Sequence, residues 1–525
     1  MKKYIIFALV MVFTFSLLAA CESGNSGSGN SPGDSAPPVS VSASDSASDS
    51  ASASLPAAFP LIFADDYGGG EAETLNLGEV IYVDGSFGGS QDGTPSNPYR
   101  TIQAAVDAAS SSKIDTIKVA GGIYREAIRI SQKKVRILGG FAGGGDFTDA
   151  DPQANITVIE GTEEAPCILI DIDERAITGA LVIGGFTICR GRRGIELSGA
   201  WSGYLDNIII RDNIIEENGT SADDQRGGGI GLEGSNVTIR NNLIRSNRAV
   251  SGAAIGSTSE SLSDFLIAGN RIENNKGFGD HAGGVLINGT GLITRNIFDG
   301  NVTDAGSYNG YGWGGAICIV NYDTTKLITL SHNIWRSNHA PSSGGAVFAD
   351  EAAKVFMINE LLYNNTCGES GSAIYVDQAW TNEPSILYME NCTVSGNSGG
   401  AALYVEASSA YVQNCIFWNN GEDFAVADNG EISVDYTLTQ QGSAGTGNIS
   451  LDPLFAGASN GDFHVLSKNG RFDPSSGEFV SDGIDSPAID AGNPSSDFSK
   501  EPEYNGSRIN LGCYGNTAEA SKSAE

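Results

Sequence analysis

The chain has 525 residues with 63 acidic and 30 basic side chains, giving a formal net charge of −33. This charge argues against nucleic acid as a partner, because phosphate binding depends on lysine and arginine. It would also repel an acidic polysaccharide unless a divalent cation bridged the two. The 69 glycines suit a turn-rich β protein, and a repeating core can extend over this length without dividing into separate domains.

Residues 1–21 are predicted to be a lipoprotein signal peptide. Two lysines and an apolar run precede Leu18-Ala19-Ala20-Cys21. This ending resembles the bacterial lipobox, which implies that residues 1–20 are removed and that Cys21 carries lipid. The resemblance implies an exported protein anchored to the bacterial envelope, with Glu22 favouring the outer membrane and the membrane face left open. The alternative is an ordinary secretory signal cleaved after Ala20.

Residues 22–57 are predicted to be a disordered tether. They consist mainly of Ser, Gly, Ala and Asp with a few prolines and show no apolar pattern. Such a segment cannot bury enough surface to fold. It would hold the folded part away from the membrane.

Residues 58–130 are predicted to hold an N-terminal cap and the first coil. Apolar residues at helical spacing follow Thr101, which is placed to cap a short helix, and alternating strands follow. The motifs D-G-T-x-x-N-P-Y-x-T-I-Q from Asp92 and T-I-x-V-A-x-G-x-Y-x-E-x-I from Thr116 resemble the opening of pectin-lyase-like β-helix proteins. The resemblance implies a helix that covers the open end of the coil, where a sheet edge and core would otherwise be exposed.

Residues 131–448 are predicted to form the coils of a parallel β-helix. After four early, irregular strand segments, the chain repeats NIIEEN, NLIRSN, NRIENN, NIFDGN and NIWRSN, then NELLYNN, NCTVSGN and NCIFWNN. The last asparagines of these motifs are Asn218, Asn247, Asn275, Asn301, Asn338, Asn365, Asn397 and Asn420. Between them recur glycine-rich motifs such as GGGI, GGAI and GGAV. Two phased motifs at this period indicate a solenoid.

The composition of one repeat selects the type of solenoid. Its apolar runs are short and β-branched, and glycine and asparagine separate them. Strands about 4.8 Å apart would stack each asparagine on the next, so that the amides form a hydrogen-bonded ladder. The apolar residue three positions earlier would point into the core. We therefore predict an all-β fold, a single right-handed parallel β-helix solenoid with a short N-terminal capping helix, in which these residues build the coil and do no chemistry.

Residues 449–525 are predicted to be C-terminal coils and a cap. The motifs S-P-A-I-D-A-G and G-x-R-I-N-L-G-x-Y-G are similar to the C-terminal segment of many bacterial surface β-helix proteins. That resemblance implies a cap that seals the far end and a chain complete as given. The repeats also resemble those of chlamydial polymorphic membrane proteins, from which this chain departs by lacking a C-terminal barrel segment.

Cysteine usage indicates neither a metal site nor a disulfide framework. With Cys21 lipidated, seven cysteines remain, and an odd number cannot all pair within one chain. Cys392 and Cys415 occupy the same repeat position one coil apart. We expect them to stack as small buried apolar residues.

The candidate functional site is the corner where variable segments leave successive coils. The four segments are 219–226, 276–281, 302–313 and 339–343. The candidates for sugar contact are Phe278, Tyr308, Tyr311 and Trp313, and the candidates for catalysis are Asp223, Asp224, Arg226, Lys276, Asp280 and His281, with Asp304 and His339 on the same edge. Aromatic rings stack on sugar faces, and carboxylates and bases hold hydroxyls. The site would take a polysaccharide or another surface glycan.

Two reactions are possible at this corner. A lyase needs a cation to neutralise a uronate and a base to remove the α-proton. In that case Asp223, Asp224 and Asp280 would bind Ca²⁺, with Lys276 or Arg226 as the base and His281 as the third choice. A hydrolase needs two carboxylates, for which Asp224 and Asp280 are candidates.

Three functions stay open from the sequence. The first is a lipid-anchored cell-surface protein that binds, and in a stronger form processes, polysaccharide. The second is a polysaccharide lyase or glycoside hydrolase acting at the corner, although the catalytic pattern of no specific family of that kind is present. The third is a non-enzymatic adhesin or envelope structural protein. The three stay open because a fold alone does not set activity. In each case we expect a monomer that contacts the membrane only through its lipid.

Overall fold

The computed structural model describes residues 77–172, 179–198, 206–220, 226–257, 262–304, 311–378 and 383–524, all within the compact unit Leu61–Glu525. The predicted signal peptide with Cys21, the predicted tether, and three of the candidate site residues lie outside these ranges. Those three are Asp223, Asp224 and Tyr308. Within the described ranges, the structure contains no helix with the length and apolarity needed to cross a membrane.

Three long sheets of parallel strands wind around one core, so the predicted parallel β-helix is confirmed. In each coil the chain passes through sheet 1, then sheet 2, then sheet 3, and returns to sheet 1 one rung further along. Each strand pairs with the strand one coil before and one coil after it. The four early segments, expected to be irregular, supply rungs of the same sheets, and the first of them, Val135–Gly143, has a register shift against Ile114–Ala120.

The strands of each sheet are given in rung order. Sheet 1 contains Leu77–Val83, Ile114–Ala120, Val135–Gly143, Leu181–Gly184, Asp206–Arg211, Ser235–Arg240, Leu262–Ala268, Gly289–Thr294, Ile328–Ser331, Lys354–Ile358, Ile386–Glu390, Ser409–Gln413 and Glu431–Asp435, with Asp146–Ala150 antiparallel to the third. Sheet 2 contains Gly122–Tyr124, Thr157–Glu160, Thr187–Cys189, Ile214–Glu216, Leu243–Arg245, Arg271–Glu273, Ile297–Asp299, Ile334–Arg336, Leu361–Tyr363, Thr393–Ser395, Ile416–Trp418 and Leu438–Thr439. Sheet 3 contains Ile128–Ser131, Ile168–Asp171, Ile195–Ser198, Ile230–Leu232, Ile255–Ser257, Val285–Ile287, Ile317–Val320, Val347–Asp350, Ile374–Val376, Ala401–Glu406 and Glu422–Ala427. Sheet 4 contains the two-residue strands Arg248–Ala249, Lys276–Gly277, Val302–Thr303, His339–Ala340 and Thr366–Cys367.

The core is a stack of apolar side chains from the inner faces of sheets 1, 2 and 3. The predicted inward row is confirmed, because each of its members is fully buried: Ile215, Ile244, Ile272, Phe298, Trp335, Leu362, Val394 and Phe417. Phe298 and Trp335 lie on consecutive rungs with ring centres 4.0 Å apart and planes inclined by 6°. Complete burial of one such side chain contributes about 1.5–3 kcal/mol, so the row is a main source of stability.

The predicted asparagine ladder is also confirmed. The Asn275 amide donates to Asn301 Oδ1 at 3.0 Å and to the Ile244 carbonyl at 3.0 Å. Its own Oδ1 accepts from the backbone and side-chain nitrogens of Asn247, both at 3.0 Å. The same bonds repeat from Asn218 to Asn420. Each turn therefore satisfies its buried polar groups through the next coil.

A second ladder runs parallel to the first at the turn from sheet 1 to sheet 2. It is formed by the first asparagine of each motif: Asn213, Asn242, Asn270, Asn296 and Asn333. At the next rung a glutamate replaces the asparagine, and Glu360 Oε1 accepts from the backbone and side chain of Asn333 at 3.2 and 3.0 Å. Glu360 Oε2 accepts from Trp335 Nε1. On the next two rungs, Cys392 and Cys415 occupy the same ladder position.

The recurring glycine pairs have a steric cause. A Cβ on Gly229 would lie 2.6 Å from the Ala254 carbonyl oxygen of the next coil, and one on Gly284 would lie 2.4 Å from that of Ala316. These distances leave no room for a side chain. The glycines therefore allow successive coils to approach closely where the chain enters sheet 3.

The capping helix is confirmed at the N-terminal end. It spans Ile102–Ala108, and the Thr101 side chain accepts from the Ala104 backbone nitrogen at 3.2 Å, as an N-cap does. Ile102, Ala105 and Val106 face the main core. The helix thus covers apolar surface at the first rungs.

The C-terminal residues differ from the predicted coils and end cap. The region contains two antiparallel hairpins, Phe455–Gly457 with Asp462–Val465 and Arg471–Asp473 with Glu478–Val480, and a 3₁₀ turn at Ala458–Asn460. It folds back along the side of the solenoid, where Asn359 Nδ2 donates to the Cys513 and Gly515 carbonyls and Asn391 Nδ2 to that of Asn510. Leu361, Tyr363 and Ile416 on the outer face of sheet 2 are covered by apolar residues of this segment. Without this segment the apolar row on these rungs would face solvent, which is the physical reason.

The described cysteines are free thiols, seven in number from Cys167 to Cys513. Cys392 and Cys415 are fully buried, and the Cys392 backbone nitrogen donates to Cys415 Sγ at 3.3 Å. The predicted stacking of these two residues is confirmed. They fill ladder positions where asparagine would otherwise stand.

Candidate functional site

The variable segments do leave the solenoid at one corner, between sheet 2 and sheet 3. Sheet 4 lies at this corner. Its register aligns four residues on successive rungs: Lys276, Val302, His339 and Thr366. A second register pairs His281 with Trp313 and Trp313 with Ser343. Parallel pairing thus brings residues far apart in sequence onto one edge.

Lys276 is held by an ion pair at this edge. Its Nζ lies 2.6 Å from Asp304 Oδ2 and 5.1 Å from the centre of the Phe278 ring. Both charged side chains are about half exposed, so the pair adds little to stability. Because this contact engages the Lys276 amine, Lys276 would have to leave Asp304 before it could act as the base of a lyase.

Asp280 and His281 are more enclosed. Asp280 Oδ1 is buried without a hydrogen-bond partner among the described residues, and burial raises the pKa of this carboxyl. Burial also lowers the pKa of His281 to about 4, and the nearby positive charge of Arg226 adds to the shift. His281 is therefore neutral at pH 7 and too weakly basic to remove protons efficiently.

The rings of the corner continue into a ladder on the outer face of sheet 3. Ring centres lie 5.3 Å apart for His281 and Trp313, 5.5 Å for Tyr311 and Trp313, and 5.6 Å for Trp313 and Phe348. The ladder goes on to Tyr375 and Tyr404 at 5.3 and 5.1 Å. Phe348 and Tyr375 are nearly buried, whereas Tyr311 is 53% exposed. A ligand can therefore reach Tyr311 and the edges of Trp313 and Tyr404, but not the inner rings.

A group of carboxyls lies on the same face at the other end of the strands. Asp350, at the end of Val347–Asp350, is 5% exposed. Burial raises its pKa to about 7, the neighbouring Asp377 and Glu351 add to the shift, and a hydrogen bond from the Glu351 backbone opposes it. A protonated carboxyl beside other carboxyls is the arrangement that a general acid requires.

The corner and the carboxyl group form one continuous face. Arg226 is exposed at the corner, where it acts on His281, and its charge also reaches Tyr322, which lies beside Asp350 and Glu351. Tyr322 is 59% exposed. We call this surface the sheet 3 face: the corner residues, the aromatic ladder, Tyr322 and the carboxyls.

The sequence interpretation missed the sheet 3 half of this face. Phe348, Tyr375 and Tyr404 each follow the inward apolar residue of a glycine-rich motif, and Asp350 and Asp377 come two residues later. The alternation of strand side chains could have placed them outward. The motif was assigned wholly to the core instead.

The structure describes one of the three predicted calcium ligands. Among the described residues, no group of three or more His, Cys, Asp or Glu side chains has the arrangement to hold a metal ion. Asp280 is the one member of the predicted ligand set that is described, since Asp223 and Asp224 lie outside. The described residues therefore do not by themselves compose the predicted Ca²⁺ ligands.

The coils of the solenoid match a known family model. A family model described as a right handed beta helix region matches residues 164–328 and 313–440, together more than half of the chain. No curated protein matches the chain in sequence.

Solved structures similar to this chain include three carbohydrate-related proteins. Pectate lyase Pel9A shares 13% identity at a TM-score of 0.45 and covers 83% of this chain and 96% of its own. A XylC complex with xylose shares 11% identity at 0.38, covering 72% and 87%. A rhamnogalacturonan lyase shares 12% identity at 0.29, covering 78% and 97%.

Proposed function

This chain belongs to the right-handed β-helix family, and we propose that it is an exported, lipid-anchored surface protein that binds and hydrolyses polysaccharide on its sheet 3 face. The observation that carries the proposal is the buried, protonatable Asp350 beside Asp377 on a face that also presents Tyr311 and Trp313. Rings that can lie against a sugar and a carboxylic acid that keeps its proton near neutral pH occupy one surface.

Hydrolysis is the reaction that these groups support best. In the proposed reaction, Asp350 donates its proton to the oxygen of the glycosidic bond while the bond from that oxygen to the sugar carbon breaks. Water attacks the carbon, and a carboxylate of the same group takes the released proton. Elimination is less well supported, because Lys276 is engaged with Asp304 and His281 is a weak base.

The first experiment incubates the protein with neutral and uronate-containing polysaccharides, each with Ca²⁺ and with a chelator. Reducing ends and the absorbance of unsaturated product are measured together. New reducing ends without unsaturation, unchanged by the chelator, are expected. Unsaturated product that disappears with the chelator would establish a lyase instead, and folded protein with neither product would refute catalysis.

Asp350→Asn tests the assignment of the acid. We expect kcat to fall at least about 100-fold, the usual contribution of a general acid, with KM little changed. The wild-type rate should decline as the pH rises through about 7, where Asp350 loses its proton. Asp323→Asn is the control, since Asp323 is an exposed carboxylate with its own turn hydrogen bonds. An unchanged kcat in Asp350→Asn would refute the role.

Lipid attachment is tested separately, at the cysteine that the sequence motif assigns. Cys21→Ser should abolish labelling with a radioactive fatty acid and move the protein from the membrane to the soluble fraction of a bacterial host. Labelling that persists would refute attachment at Cys21. Cys513→Ser, which changes a buried thiol in the C-terminal segment, is the control.

A further inference from the structure

A second, separate row of aromatic rings lies on the outer face of sheet 1. Phe356, Tyr388 and Tyr411 stand on consecutive rungs with ring centres 4.6 and 5.1 Å apart and planes inclined by 17° and 14°. They are 36%, 38% and 47% exposed. Unlike the inner rings of the sheet 3 ladder, these are open to solvent along their whole length.

The row ends in a step. In the strand register, the rung after Tyr411 carries Ser433, and the rung before Phe356 carries Thr329. Among the residues that the structure describes, the register therefore places no fourth ring over the outer face of Tyr411. A groove of about 290 Å³ runs along the row to this step and includes Ser433.

Polar groups form the second side of the groove. Glu390, Gln413 and Asp435 lie on consecutive rungs, two residues after the ring positions and on the same outward face. The C-terminal segment fixes this side, since Asn493 Nδ2 donates to Gln413 Oε1 at 2.8 Å and Ser496 Oγ donates to Glu390 Oε1 at 3.3 Å. The C-terminal segment thus holds the polar side of the groove in place.

The acidic lining of the groove favours an uncharged ligand. Its lining includes two carboxylic residues, Glu390 and Asp435, and no lysine or arginine. A uronate or phosphate would meet like charge and no counter-charge within this lining. A neutral sugar chain instead offers an apolar ring face to the open face of Tyr411, C–H groups to the exposed ring edges, and hydroxyl donors to carboxylate and amide oxygens. Rungs about 4.8 Å apart present these groups at regular steps along an extended chain.

We propose that this groove, here named the sheet 1 groove, is a binding site for a neutral, hydroxyl-rich glycan. The groove lies on a different sheet from Asp350 and uses none of the residues of the sheet 3 face. It therefore extends the proposed function by a second contact for the same class of macromolecule, and it stands even if the sheet 3 face proves inactive.

The test measures binding of three hexasaccharides by titration calorimetry: cellohexaose, xylohexaose and the hexamer of galacturonic acid. Binding of at least one neutral hexasaccharide and none of the acidic one at this groove is expected. Tyr411→Ala and Tyr388→Ala should each weaken it about tenfold, as removal of a central ring from a binding site does. Binding unchanged in both variants would overturn the proposal, as would tighter binding of the acidic hexamer at these residues.

Two further variants distinguish binding in the sheet 1 groove from binding at the sheet 3 face and from loss of the fold. Ser433→Tyr adds a ring over the open face of Tyr411, so it should block binding. Because the fold should be retained in this variant, the loss of binding could not be attributed to misfolding. Asp350→Asn should leave the binding intact whatever its effect on hydrolysis. Loss of binding in Asp350→Asn with retention in Ser433→Tyr would assign the sugar to the sheet 3 face and refute a site on sheet 1.

Discussion

At the scale of single residues, Glu360 is the unusual member of the inner ladder. It occupies a position that asparagine fills on the five preceding ladder rungs, and it is fully buried between Asn333 and Trp335. Burial raises its pKa to about 8, although the hydrogen bonds from Trp335 and Asn333 oppose the shift. A carboxyl here is therefore protonated at neutral pH.

This raised pKa predicts a pH dependence of stability. The folded state holds the proton more tightly than the unfolded state, so the contribution of Glu360 is fully present below about pH 4.5 and is lost as the pH rises through about 8. The loss should be about 2–4 kcal/mol. In Glu360→Gln, the fall in the free energy of unfolding between pH 5 and pH 9 should be smaller by this amount.

Denaturant titrations at the two pH values measure the difference, with Glu431→Gln on an exposed rung as the control. Other raised carboxyls, such as Asp350, titrate in all three proteins and cancel in the comparison. An identical pH dependence in the wild type and Glu360→Gln would contradict the assignment.

Asn275 is an ordinary ladder rung, and its removal should be costly. Asn275→Ala deletes the acceptor for both Asn247 nitrogens and the donor to Asn301, and leaves buried polar groups unpaired. The free energy of unfolding should fall by about 3 kcal/mol or more. Arg271→Ala, which removes a surface ion pair on the same coil, should change it by less than about 1 kcal/mol.

At the scale of elements, each strand has an inner face set by the repeat and an outer face free to vary. Phe348 and Tyr311 belong to the same aromatic ladder but differ in burial. Phe348→Ala should lower the free energy of unfolding by about 3 kcal/mol, because it empties a covered position. Tyr311→Ala should leave stability within about 0.5 kcal/mol and weaken glycan binding at the sheet 3 face. Thermal unfolding and binding titration of both variants distinguish these effects.

The sequence predicts the inner face well, because its constraint repeats once per coil. Ile215, Phe298 and Phe417 could be assigned to the core from the asparagine three residues later. The outer face is predicted less well, because strand alternation places Phe348 and Asp350 outward but does not say which side chains of other coils they meet. Their neighbours are set by register, which depends on the exact length of every intervening loop.

The corner shows the same limit. The spacing of the repeat motifs in the sequence is enough to predict that Lys276, Phe278 and Trp313 lie on one edge. The pairing of Lys276 with Asp304 and the enclosure of His281 depend on side-chain distances that spacing does not give. Asp223 and Asp224 lie outside the described residues, so their predicted roles stay predictions.

At the scale of the whole molecule, the C-terminal segment acts as a lateral support. Leu511 is 3% exposed and packs with Ile416 on the outer face of sheet 2. Leu511→Asp should detach the segment, because a buried charge without a partner is strongly unfavourable. The expected result is faster hydrogen exchange over residues 452–524 with the central coils still protected, as expected where each rung contacts only its neighbours.

Ile484→Asp is the matched control, since Ile484 lies in the same segment and is 49% exposed. Its exchange should equal that of the wild type. Equal exchange in Leu511→Asp as well would mean that the segment is held by its backbone hydrogen bonds alone. Because the same segment fixes one side of the sheet 1 groove, detachment should also weaken neutral glycan binding.

The two asparagine ladders have a consequence for how such a chain changes over generations. Their bonds run only from one coil to the next, so the stretch from Asn242 to Asn270 could be duplicated or lost as a unit without breaking phase. Each event would lengthen or shorten the molecule by one step of about 4.8 Å. The rungs of Asp350 and of the sheet 1 groove both follow this stretch, so such an event would shift the two by the same step and leave the distance between them unaltered.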